Sequence, residues 1–90
     1  MFIDLYFRGA LPESLDVVED LIEDSLAGLG EVVGSGMGQD GANLDVEVND
    51  SRRVSEALEI IRRCLTQLRL AEQTVIQIDG KLMIPNQDDS

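Results

Sequence analysis

Ninety residues are enough for one domain with its own apolar core. Eighteen acidic side chains against seven basic ones leave a net charge of −11. That balance excludes nucleic acid and anionic membranes as partners, because binding phosphate needs a basic surface, and it leaves a basic protein, a cation or plain solubility.

No histidine is present, which removes every catalytic triad and metal site that depends on imidazole. A single cysteine cannot form an internal disulfide. No apolar run approaches the ~18 residues needed to cross a bilayer, and Met1 leads straight into the first predicted strand, so a cytoplasmic protein is expected.

Residues 2–8 alternate Ile3, Leu5 and Phe7 with Phe2, Asp4, Tyr6 and Arg8, the pattern of a half-buried strand. Gly9 and Ala10 turn the chain, and Pro12 suits the first turn of a helix, where its missing N–H costs nothing. The helix is expected to run to Gly28 or Gly30, burying Leu15, Val18, Ile22, Leu26 and Leu29, with Leu11 and Leu21 widening the stripe. Its solvent side carries Glu13, Asp16, Glu19, Asp20, Glu23 and Asp24 with no base among them. Such a row resists packing against itself and steers a basic partner.

Residues 31–33 read as a short edge strand, and residues 34–41, with four glycines, as a loop and long hairpin connection. Met37 at the loop's centre is expected to be an exposed anchor for a partner. The run Gly36-Met37-Gly38-Gln39-Asp40-Gly41 fits GxGxxG, but a strand follows instead of a helix and no Lys or Arg is present. In dinucleotide folds the pyrophosphate sits at the N-terminus of the helix that follows such a turn, so the match here reflects glycine content.

Residues 43–49 alternate Leu44, Val46 and Val48 with Asn43, Asp45, Glu47 and Asn49 as a central strand. Asn49, Asp50 and Ser51 are good caps for a second helix, whose stripe is Val54, Leu58, Ile61, Leu65 and Leu68. Cys64 falls toward that stripe and reads as a small core residue. The second helix is rich in arginine, so side-by-side packing predicts attraction between the helix flanks. Residues 73–78 form a fourth strand, Asp79-Gly80 a hairpin turn and residues 81–84 a fifth strand. Pro85 ends it, and residues 86–90 make a frayed polar tail.

The order strand, helix, strand, strand, helix, strand is that of the ferredoxin-like α+β sandwich, here with an added C-terminal hairpin strand. Right-handed crossovers put the first and third strands side by side in the middle and both helices on one face. The core face then holds Ile3, Leu5, Phe7, Leu44, Val46, Val48, Ile76 and Ile78, and the open face Phe2, Asp4, Tyr6, Arg8, Asp45, Glu47, Val75 and Gln77. No base, nucleophile and oxyanion donor can be assembled from these residues, so a non-enzymatic role without cofactor or metal is expected.

In size and charge the chain is similar to small acidic bacterial immunity proteins, which implies a protein-interaction module that neutralises or regulates a basic partner. The expected contact residues are Phe2, Asp4, Tyr6, Arg8, Asp45 and Glu47 on the sheet, Met37 in the loop, and Glu13, Asp16, Asp20 and Glu23 on the first helix. A homodimer through the open face or the edge strand is the expected assembly. By strand order alone the chain also resembles ACT-type domains, which implies a small-ligand regulatory site at the turn Arg8-Gly9-Ala10-Leu11-Pro12.

Overall fold

The computed structural model describes residues 1–79 and the backbone of 81–83. Strand β1 (Phe2–Arg8) is followed by helix α1 (Leu15–Leu26), the hairpin β2 (Gly30–Gly38) and β3 (Gly41–Val48), helix α2 (Val54–Gln67), and the hairpin β4 (Thr74–Ile78) and β5 (Lys81–Met83). The sheet order is β2-β3-β1-β4-β5, with every neighbouring pair antiparallel. The fold is the expected ferredoxin-like sandwich with both helices on one face. The expectations for Ile84, Pro85 and the tail lie outside the described residues, as does Gly80 of the last turn.

Alternation along the strands explains the core. Ile3, Leu5, Phe7, Leu44, Val46, Val48 and Ile76 are buried on one side of the sheet. Val18, Ile22 and Leu26 of α1 and Ala57, Leu58, Ile61, Cys64 and Leu65 of α2 close over them. Burying a side chain of this size contributes about 1.5–3 kcal/mol, which is why the periodic positions decide the fold. Ile78 packs at the margin of the same cluster.

Four boundaries differ from expectation. Helix α1 begins at Leu15 rather than near Pro12, because Ser14 takes the capping position and accepts the Val17 N–H through Oγ at 3.4 Å. It ends at Leu26, because Ala27 adopts a left-handed conformation, so Leu29 is buried from the connection that follows. Asp50 caps a 3-10 turn, Ser51–Arg53, that leads into α2, and a second such turn, Ala71–Gln73, delays β4 to Thr74.

The largest correction concerns residues 34–41, which are not a loop. Strand β2 continues through Gly38, and Gln39-Asp40 alone make the turn. A bulge between Val32 and Gly34 shifts the register, after which Gly34, Gly36 and Gly38 pair with Asp45, Asn43 and Gly41. Gly41 is required at the turn's exit: its φ is +149°, and a Cβ there would run into the Phe7 carbonyl.

Candidate functional site

The face of the sheet away from the helices is built from the even residues of β1 and the odd residues of β3 and β4. Cross-strand register sets them in rows: Val75, Tyr6, Asn43 and Gly36; then Gln77, Asp4, Asp45 and Gly34; then Phe2, Glu47 and Glu31. Arg8 lies one step beyond, opposite Gly41. Phe2 is 45% exposed and Tyr6 42%, so two aromatic rings stand in solvent among carboxylates. The six expected sheet residues therefore do share one face.

Asp4 and Asp45 face each other directly across the β1–β3 ladder. Partial burial raises the Asp4 pKa above the usual carboxylate value, and its hydrogen bond and charge interaction with Asp45, then the charge of Asp79, push the same way. Like charges directly opposite on a sheet oppose pairing, so the fold tolerates this pair at a cost in stability. The Asp45 carboxylate leans toward β2, where a Cβ on Gly34 would come within 3.1 Å of Oδ2. Asn43 leans likewise toward Gly36, at 3.0 Å from Oδ1 to such a Cβ. The glycines thus leave a strip bare of side chains along the sheet margin, edged by polar groups.

The acids of α1 form a second cluster. Asp16, Glu19, Asp20 and Glu23 line a cleft of about 350 Å³ against Val32 of β2. Glu23 Oε2 accepts the Val32 backbone N–H at 3.0 Å. These side chains turn toward the sheet margin and away from α2, so the expected attraction between helix flanks is not realised. Three of the arginines instead pair locally: Arg52 with Asp50, Arg53 with Glu56 and Arg63 with Glu59. None of the ion pairs among the described residues involves α1.

Glu13 lies before the cap and outside the helix. Met37, 69% exposed, sits near the end of β2 opposite Ala42, and so belongs to the helix side of the sheet margin instead of a loop tip. Hence Met37 and Glu13 do not join the open-face group. Glu31 and the glycine strip are additions that the sequence pattern missed. Cys64 is buried, with its Sγ 4.0 Å from the Leu21 carbonyl oxygen.

The first strand-to-helix turn is held from within. Gln73 Nε2 donates to the carbonyls of Arg8 at 2.7 Å and Ala10 at 3.0 Å. Among the described residues, no three acidic or cysteine side chains come together in a way that would hold a metal ion. No helix among them is long and apolar enough to cross a membrane. The chain matches no protein-family model and no curated protein. The fold by itself is compatible with a protein-interaction module and with an ACT-like ligand-binding domain.

Proposed function

We propose that this domain is a non-enzymatic protein-interaction module of the cytoplasm that docks a basic partner, neutralising or regulating it. The observation that carries this reading is the grouping of Asp4, Asp45, Glu47 and Glu31 around exposed Phe2 and Tyr6, on a face where Arg8 is the one opposing charge among the described side chains. Aromatic rings supply contact area at an interface, and carboxylates around them supply attraction and orientation. The acidic row of α1 adds to the same field. A second copy is the poorer occupant at neutral pH, since two such faces repel.

The ACT-like alternative requires free polar groups at the turn after β1. Gln73 already occupies two carbonyls there, which favours the first reading. Stabilisation of the domain by an amino acid at millimolar concentration in a thermal-shift screen would reverse that preference.

The test is affinity capture from native lysate at low salt, followed by titration of the purified partner. The expected partner is basic, and its affinity falls at least about tenfold between 50 and 300 mM salt as screening sets in. Glu47→Lys with Asp45→Lys weakens it further. Binding that ignores both salt and charge reversal would refute the proposal.

A further inference from the structure

A sheet that ends in a bare strand offers a row of backbone donors and acceptors to any extended chain. One margin of this sheet is β2, nine residues without lysine, arginine or proline. Glu23 covers a single outward amide, that of Val32. Counting back from the two-residue turn, Gly38, Gly36 and Gly34 are the ladder partners of Gly41, Asn43 and Asp45. Because ladder bonds alternate, the backbone groups of Met37 and Ser35 then face outward.

Charge and apolar contact flank this stretch on both sides. Asp16, Asp20 and Glu23, spread over about 10 Å of α1, line a cleft that opens at Val32 of β2, and so hold negative charge at the start of this edge. On the other side, the strip at Gly34 and Gly36 lets a neighbour's side chains reach over to Asp45 and Asn43, with Glu31 and Glu47 in the next row along the strand. Val33, 48% exposed, and Met37 mark the two ends. A strand added here sets its side chains alternately to both sides and meets carboxylates on each.

Resting on the reading of the domain as a docking module, we infer that the outward edge of β2, residues 33–37, takes an extended lysine- or arginine-bearing segment of the basic partner as an additional strand. Main-chain hydrogen bonds to Ser35 and Met37 hold the segment, and the α1 and β3 carboxylates select its charge. A second copy of the chain fits poorly, because edge-to-edge pairing about a two-fold axis lays one α1 acidic row beside the other.

The test titrates the isotope-labelled domain with a peptide of alternating valine and lysine at 50 mM salt, reading amide shifts and hydrogen exchange by NMR. The Ser35 and Met37 amides are expected to gain at least tenfold protection, and a peptide with proline at alternate positions to bind at least tenfold more weakly. Ser35→Pro, which removes an outward donor and leaves the β3 ladder intact, weakens binding by a similar factor, whereas Gln67→Ala, exposed on α2, does not. The exchange measurement uses the unaltered chain and decides the matter even if the proline variant fails to fold. Peptide binding that shifts Phe2, Tyr6 and Asp45 and ignores Ser35→Pro overturns the edge proposal while the docking reading stands. Absence of binding by both the peptide and any basic partner overturns both. A dimer that Ser35→Pro dissociates gives the edge to a second copy and overturns the proposal.

Discussion

Asp4 and Asp45 show how a single pair of side chains records a compromise between folding and binding. The raised Asp4 pKa means the folded chain holds that proton more tightly than the unfolded chain does. Its contribution therefore favours folding below the ordinary carboxylate value of 3.8 and turns against folding as pH rises from there through the raised value. Asp4→Asn is expected to stabilise the domain at pH 7 by about 0.5 kcal/mol, roughly 2–4 °C in Tm, with the gain vanishing near pH 3 in thermal melts. Asp50 and Glu56 act in the opposite sense. Hydrogen bonds from Arg52 and Arg53 lower their pKa values, so their support is present at neutral pH and is lost as pH falls through those lowered values. Gly41 gives a sharper outcome: Gly41→Ala drives a methyl into the Phe7 carbonyl and is expected to cost on the order of 3 kcal/mol by chemical denaturation.

The elements differ in how openly the sequence declares them. Strands β1 and β3 and both helices are written in apolar periodicity, since Ile3, Leu5 and Phe7 or Val54, Leu58 and Ile61 mark a face by themselves. The second half of β2 has no such mark. In Gly34-Ser35-Gly36-Met37-Gly38 the glycines contribute no side chain to either face, and strand propensity measures packing that glycine cannot supply. What holds that segment is the β3 ladder, a non-local cause that a local pattern does not contain. The open face was legible because alternation places Asp4, Tyr6, Asp45 and Glu47 without reference to β2. Glu31 and the glycine strip join it only once the bulge and register are known. Helix α1 teaches the same lesson at its start. Pro12 and Ser14 both suit a helix N-terminus, and the hydroxyl that reaches Val17 N–H decides between them. Ser14→Ala is expected to cost about 0.5–1 kcal/mol, measured as a lowered denaturation midpoint with unchanged slope.

For the molecule as a whole, the division of labour is between a neutral interior and a charged exterior. The core cluster is apolar apart from Thr74, whose hydroxyl donates to the Leu70 carbonyl at 2.6 Å. The acids collect on α1 and on the open face, while Arg52, Arg53 and Arg63 are each held beside an acid on the segment around α2. This segregation concentrates negative potential on α1 and on the open face, where even mixing would have cancelled much of it.

The placement of β1 between β3 and β4 has a consequence for how the chain is made. During synthesis this strand emerges before either of its neighbours exists, and its oily row of Ile3, Leu5 and Phe7 must wait for residues past 40 and then past 70. Closing contacts so distant along the chain is slow compared with forming a helix or hairpin. A nascent polypeptide halted before β3 thus carries an unmatched sticky segment, a natural place for a chaperone to hold it until its partners are translated.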